Sequence, residues 1–169
     1  MKIAIVYSSN TGNTKMLAET IKNALSDKDI AYFGKVNDGI PDSDLYIIGS
    51  WTNKGNASLD IQNFLNKLRN KKIAYFATAG YGGSDSYYNT LYGRVKEIID
   101  PSNKIIGHFY CQGKMPIAVR DRYVSVITQN PDDAKLKVSL QNFDEALNHP
   151  NNKDLKNVGQ WIKDIINNN

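Results

Sequence analysis

The sequence predicts an α/β fold in which five parallel strands form a sheet with helices on both faces. Two observations carry this prediction. Five apolar runs of strand length recur along the chain, and segments with helical spacing separate them. Such alternation favours right-handed crossovers, which leaves few topologies. A chain of 169 residues is long enough for one domain with a full core, so we expect a single domain over residues 1–169.

The strand candidates are Lys2–Tyr7, Ile30–Phe33, Leu45–Ile48, Lys72–Ala77 and Lys104–Tyr110. The helix candidates keep their apolar residues on one face. These faces lie within residues 17–25, 61–68, 88–99 and 155–166. Asn151 and Asn152 are candidate N-caps for the last helix. Only the second crossover, residues 34–44, is too short for a long helix.

Residues 111–150 do not fit the simple repeat. Val119, Tyr123, Val126 and Ile127 recur at helical spacing, and so do Leu136, Leu140, Phe143 and Leu147. We expect one or two extra helices here, joined at Asn130-Pro131, that pack beside the sheet as a lid or an edge cover.

Charge and composition exclude several functions. The net charge is +4, but it is spread along the chain, with 13 basic and 10 acidic residues in 1–110 and 8 and 7 in 111–169. This mixed surface does not predict nucleic-acid binding. No apolar run reaches the ~18 residues of a membrane span, and no signal-peptide pattern opens the chain, so we expect a cytoplasmic protein. The single cysteine and the lack of a Cys/His cluster exclude an internal disulfide and a structural zinc site.

Ligands of open α/β sheets bind at the carboxyl ends of the strands. Four connections are therefore candidates for a ligand-binding site: residues 8–14, 50–58, 78–86 and 111–114. The first, Ser8–Thr14, lacks the glycine pattern of a dinucleotide site and the GxxxxGK[ST] of a nucleotide triphosphatase. A phosphoacceptor regulator would need acidic residues that are absent here. The hydroxyl and amide donors, Gly12 and a following helix N-terminus instead suit a phosphate monoester. An ordinary N-cap remains the alternative.

Two later connections place an aromatic residue among small and polar ones. Trp51 lies in Gly49-Ser50-Trp51-Thr52-Asn53-Lys54-Gly55, and Tyr81 lies in Thr78-Ala79-Gly80-Tyr81-Gly82-Gly83. Aromatic side chains above a phosphate loop can hold a planar ring between them. Peripheral packing of each aromatic is the alternative.

The order of these motifs resembles the flavodoxins and the wider flavodoxin-like flavoproteins, over about residues 1–110 and the final helix. The most specific match is Ser-x-Thr-Gly-x-Thr at Ser9–Thr14. The resemblance implies a flavodoxin-like three-layer sandwich with strand order 2-1-3-4-5 and FMN as the cofactor. It implies phosphate contacts from Ser8, Ser9, Asn10, Thr11, Gly12, Asn13 and Thr14. Around the isoalloxazine it implies Trp51, Thr52, Asn53, Lys54, Gly55, Thr78, Ala79, Gly80, Tyr81, Gly82 and Gly83.

The resemblance further implies an electron-transfer protein that cycles FMN through semiquinone and hydroquinone states, with no catalytic side chain and no metal. Its partners would be an electron-donating reductase and an acceptor protein, and we expect a monomer. In flavodoxins a small residue after the third strand lets a backbone carbonyl turn toward flavin N5. Gly55 is the candidate here, with Asn53 second. An FMN-dependent NAD(P)H:quinone-type oxidoreductase and a non-redox binding module remain alternatives.

The chain also departs from the family pattern. Flavodoxins that act as general carriers are usually strongly acidic, whereas this chain is basic, so we expect a less depressed second reduction potential. Cys111 is interpreted as a small buried thiol and His108 as a packed histidine. His149 precedes a proline and is assigned to a turn. Lys114, Arg120 and Arg122 are candidates for a face that docks anionic groups, or for a solvated helix face.

Overall fold

The computed structural model describes residues 1–169. Its strands are β1 (Ile3–Tyr7), β2 (Ile30–Lys35), β3 (Leu45–Asn53), β4 (Asn56–Ala57), β5 (Lys72–Ala79) and β6 (Lys104–Gln112). Its helices are α1 (Asn13–Ala24), α2 (Leu59–Lys67), α3 (Asp85–Lys96), α4 (Ile117–Gln129), α5 (Ala134–Ala146) and α6 (Asn152–Asn167). None of these helices combines the length and the apolar character needed to cross a membrane.

Five strands pair in parallel in the order β2-β1-β3-β5-β6. This confirms the order expected from the sequence, since β4 is a short addition outside the main path. The register places Ile5 of β1 opposite Phe33 of β2 and Ile47 of β3. Because β1 and β3 are neighbours while the chain leaves β1 toward β2, the connections after β1 and β3 diverge at the carboxyl edge. A crevice therefore opens there.

The third strand differs from its prediction. It was expected to end at Ile48, with a loop over residues 50–58, but β3 continues to Asn53 and pairs antiparallel with β4. Lys54 and Gly55 both have positive φ, 49° and 77°, as in a type I′ hairpin turn. Trp51 and Thr52 therefore stand on a strand extension rather than in a loop.

Two apolar layers hold the helices to the sheet. On one face, Ile5 and Ile47 pack with Leu17 of α1 and Ile162 of α6, all fully buried. On the other face, the opposite side chains of the same strands meet α2 and α3 in a second cluster that includes Leu65 and Val95. This three-layer arrangement follows from strands that are apolar on both sides. The predicted N-cap Asn151 is confirmed, since it forms a capping box with Asp154 at the start of α6.

The segment after β6 folds into two helices, as expected, and they meet near Asn130-Pro131. The two helices differ in how many of their residues are buried. Helix α5 buries Asn142, Phe143 and Ala146, whereas α4 has no buried residue. The apolar residues of α4 are less protected, since the side chains of Val119, Tyr123 and Ile127 are only half-buried. We call α4 and α5 together, residues 117–146, the helical hairpin.

Candidate functional site

A cavity of about 610 Å³ opens at the carboxyl edge of the sheet. This volume lies within the range of about 300–1,000 Å³ that is usual for small-molecule sites. Eleven residues expected at the site contribute to the cavity wall: Asn10, Thr11, Asn13, Trp51, Thr52, Lys54, Gly55, Thr78, Ala79, Gly80 and Tyr81. Three separate connections thus meet around one cavity, as the strand order requires.

The first connection carries free backbone donors. The N–H groups of residues 10–14 pair with no acceptor in the chain, whereas those of Lys15 and Met16 are bonded to Ser9 Oγ and the Gly12 carbonyl oxygen. Gly12 has φ +91°, a conformation that an L side chain rarely adopts. The free donors and the start of α1 form a cradle that favours a negative charge. This arrangement suits a phosphate.

Three Ser and Thr residues of the same connection, Ser8, Ser9 and Thr14, form hydrogen bonds to other parts of the protein. The Ser8 N–H donates to the carbonyl oxygen of Gly49 at 2.9 Å, and Ser9 Oγ accepts from the Lys15 N–H at 3.2 Å. Thr14 Oγ1 lies 3.1 Å from Thr78 Oγ1 in a buried pair. These contacts fix the loop to β3, α1 and β5, so Ser8, Ser9 and Thr14 lie beside the cavity wall rather than in it.

Asn13 carries an unsatisfied acceptor. The residue is 6% exposed, and its Nδ2 donates to the Lys114 carbonyl oxygen at 2.8 Å. Its Oδ1 is buried and has no hydrogen-bond partner. A Cβ on Gly113 would lie 2.5 Å from Nδ2, so the close approach depends on this glycine. Buried acceptors are normally paired, and a hydroxyl-bearing phosphate ester would supply both the anion for the cradle and a donor for Oδ1.

The hairpin at the end of β3 forms a second wall. Trp51 is half-buried beside the cavity, and Thr52 Oγ1 donates to the Thr78 carbonyl oxygen at 2.8 Å. At the turn, the Gly55 carbonyl accepts a hydrogen bond from Arg94 Nη1 at 3.2 Å. Asn53, the second candidate for the residue whose backbone carbonyl turns toward flavin N5, does not line the cavity.

The connection after β5 forms the third wall. Tyr81 is 39% exposed, and its hydroxyl lies 2.7 Å from Ser139 Oγ of α5. Gly80 is pressed against Met115, where a Cβ would lie 2.5 Å from Cγ. Gly82 packs in the same way against Gln112, and together with Gly83 it lies outside the cavity wall. The structure therefore brings Trp51 and Tyr81 to one cavity.

The sequence did not assign part of the wall to the cofactor site, although it named residues 111–114 as a candidate connection and Lys114 and Arg122 as candidates for docking. The additional residues are Tyr87, Gly113, Lys114, Met115, Pro116, Val119, Arg122 and Tyr123. All except Tyr87 follow β6, where the chain returns across the crevice before α4 begins. Asn13 holds this return through the Lys114 carbonyl, and Gly113 N–H donates to the Ala79 carbonyl oxygen at 2.9 Å. No local pattern signals such a return.

The charged groups of the wall are all basic. They are Lys54, Lys114 and Arg122, and no Asp or Glu lines the cavity. None of the three forms a salt bridge. Arg120, the neighbouring candidate on α4, instead pairs with Asp144 at 3.6 Å. The cavity therefore presents positive charge that the protein does not neutralise.

Cys111, His108 and His149 line a different pocket beside β6. Cys111 is 4% exposed, and burial raises the pKa of its thiol, as in an unreactive core cysteine. The His108 ring stacks on Tyr92 with centroids 3.8 Å apart, and burial lowers its pKa. His149 Nδ1 lies 2.6 Å from Asp154 Oδ2 at the start of α6.

Comparison with known proteins identifies the family and supports the fold. A family model described as a flavodoxin domain matches residues 4–163. A flavodoxin-like domain-containing protein, BilS, of Clostridium symbiosum (strain WAL-14163) is 35% identical over 172 residues, which cover 92% of this chain and 90% of that protein. The BilS protein of Clostridioides difficile (strain CD3) is 32% identical and covers 98% and 97%. Flavodoxin 2 of Bacillus cereus, in its oxidised crystal structure, matches both chains fully with a TM-score of 0.61 at 16% identity, a likeness in fold.

Proposed function

The chain belongs to the flavodoxin domain family, and from this premise we propose that it binds FMN and carries electrons between partner proteins. One observation carries the proposal. Asn10, Thr11 and Asn13 of the cradle line the same cavity as two aromatic residues, Trp51 and Tyr81. FMN combines a phosphate monoester, a hydroxylated chain and a planar ring, so it can use all three features, and the family match favours it over other phosphate esters with a ring.

Each part of the wall has a role in this proposal. The cradle at residues 10–14 binds the phosphate, and Asn13 Oδ1 accepts a hydrogen bond from a ribityl hydroxyl. Trp51 and Tyr81 flank the ring, and each stack adds roughly 0.5–1.5 kcal/mol beyond the area it buries. Val119 and Tyr123 of α4 are half-buried and line the cavity, where they would limit the entry of water. The bound flavin supplies the redox chemistry, and the chain sets its potential.

The proposed partners are an electron-donating reductase and an acceptor protein. No catalytic side chain is needed, since an electron carrier needs only a bound flavin close to the surface. Lys54 on the β3–β4 turn and Arg122 on α4 line the cavity and are exposed, so a flavin bound there would lie close to the surface.

Anaerobic photoreduction of the FMN-loaded protein tests the proposal, with the visible spectrum as the readout. We expect a blue, one-electron-reduced flavin to accumulate. Direct passage to the two-electron-reduced form, with steady turnover of NAD(P)H and a quinone, would instead support the oxidoreductase alternative. Failure to bind FMN would overturn the proposal, and riboflavin is the matched ligand because it lacks only the phosphate.

A further inference from the structure

Three basic side chains surround the mouth of the cavity: Lys54 on the hairpin turn, Lys114 after β6 and Arg122 on α4. We call them the basic rim. Each is solvent-exposed and none is paired with a carboxylate. They come from three separate segments, so their grouping is a product of the fold and is not visible in the overall charge of the chain.

Cofactor binding does not account for the whole basic rim. A phosphate monoester carries a charge of about −1.5 to −2, and the cradle already offers it neutral donors and a helix N-terminus. Lys114 is tied to this cradle through Asn13. Lys54 stands at the tip of the hairpin turn, and Arg122 on the exposed helix α4. These two cations therefore remain available to a second molecule.

The helical hairpin beside the basic rim exposes apolar side chains. Ile117 and Val126 of α4 are 65% and 40% exposed, and Val138 of α5 is 58% exposed. Helix α4 buries no residue of its own. Exposed apolar side chains next to unpaired charges are the composition of a protein docking surface, in which an apolar centre has a charged margin.

From the charge of the basic rim we propose that this surface, the basic rim with the outer face of α4, docks a redox partner protein that carries an acidic patch. The inference rests on the proposed function and names the chemistry of its partner. Opposite charge on the partner steers it toward the mouth of the cavity, where the distance to the flavin is shortest. A basic partner is disfavoured by the same field.

Stopped-flow oxidation of the photoreduced, FMN-loaded protein tests this inference. The oxidants are an acidic b-type cytochrome, a basic c-type cytochrome and hexacyanoferrate(III). We expect the acidic cytochrome to react faster as ionic strength falls, and the basic cytochrome to react more slowly, because the Debye length grows from ~8 Å to ~30 Å between 0.15 M and 0.01 M salt.

Two charge reversals localise the effect, Lys54→Glu and Arg122→Glu. Each should slow the acidic cytochrome by about ten-fold at low salt, within the range of electrostatic steering. The matched control is Lys67→Glu, an exposed and unpaired lysine at the last turn of α2, at the opposite end of the sheet. It makes the same change in net charge and should alter the rate by less than about two-fold. FMN affinity is measured for every variant.

The outcomes separate the two hypotheses. If hexacyanoferrate(III) and both cytochromes fail to oxidise the reduced flavin, the electron-carrier function fails, and the docking surface fails with it. If the flavin is oxidised without a preference for the acidic cytochrome, or if Lys67→Glu has the same effect as Arg122→Glu, the carrier function stands and the docking surface is wrong.

Discussion

Arg94 Nη1 on α3 donates a hydrogen bond to the Gly55 carbonyl oxygen at 3.2 Å. The guanidinium also fills the space beside this glycine, since a Cβ there would lie 2.1 Å from Nη1. Gly55 is the candidate for the carbonyl that turns toward flavin N5. Arg94 is therefore placed to resist that turn.

Loss of the Arg94 bond should make the first electron easier to add. A hydrogen bond to a charged group contributes about 1.5–3 kcal/mol, and exposure of Arg94 lowers this to about 1 kcal/mol. We expect Arg94→Lys, which keeps the charge, to raise the first potential by about 40 mV in potentiometric titration. Arg94→Met also removes the positive charge, so we expect it to lower the second potential in addition to raising the first. An unchanged first potential in both variants would contradict the role of Arg94.

Lys114 should discriminate FMN from riboflavin. Its carbonyl oxygen accepts from Asn13 Nδ2, which holds the residue beside the cradle. An exposed ion pair with the phosphate contributes about 0.2–1 kcal/mol. Lys114→Met should therefore weaken FMN binding by about 1.4- to five-fold, in a salt-dependent manner, and leave riboflavin binding unaffected. Quenching of flavin fluorescence measures both affinities. An equal loss for the two flavins would assign Lys114 a packing role instead.

The basic cavity wall should favour the two-electron-reduced flavin, which is an anion. One unit of charge at ~10 Å changes its free energy on the order of 1 kcal/mol, or about 40 mV. We expect a second potential less negative than that of acidic carriers, and a lower one in Arg122→Glu. A potential as low as in acidic carriers would reject this prediction.

His108 should make stability depend on pH. Burial lowers its pKa below the ordinary value of 6.5. Well above pH 6.5 the residue is neutral in both the folded and the unfolded state and has no effect on stability. As the pH falls below 6.5, the unfolded chain takes up the proton first, so the free energy of unfolding decreases. His108→Phe keeps the stack on Tyr92 and should reduce this decrease. Urea unfolding at pH 5 and pH 7.5 measures it, and an unchanged difference would contradict the assignment.

Phe143 should anchor the helical hairpin. It is 1% exposed, and Phe143→Ala should lower the free energy of unfolding by about 3–5 kcal/mol through a cavity in the core. Val126→Ala on α4 is the control. Val126 is 40% exposed, so we expect a change below about 0.5 kcal/mol. Denaturant titration of both variants checks the contrast, and comparable losses would show that α4 is held more firmly than its exposure indicates.

Local apolar runs predicted which segments form the strands, and the resemblance to the flavodoxins implied the order of the sheet. The motif at Ser9–Thr14 predicted a phosphate site, and this stays a prediction. The sequence did not predict that β3 continues to Asn53. The turn at Lys54-Gly55 is not one of the strongest hairpin signals, and polar residues after a buried strand are typical of a loop. The return at Gly113–Pro116 depends on contacts with Asn13 and Gly80. Asn13 lies about 100 residues earlier in the chain, and Gly80 lies about 35 residues earlier.

Helix α4 forms part of the cavity wall but contributes no residue to the core. Selection on stability and selection on recognition therefore act on different residues. Substitutions on the outer face of α4 can accumulate by drift at little thermodynamic cost, whereas the glycine-dependent contacts around Asn13 tolerate almost none. We expect relatives of this architecture to diverge first in α4, so that a lineage can acquire a new redox partner while it keeps the same cofactor site.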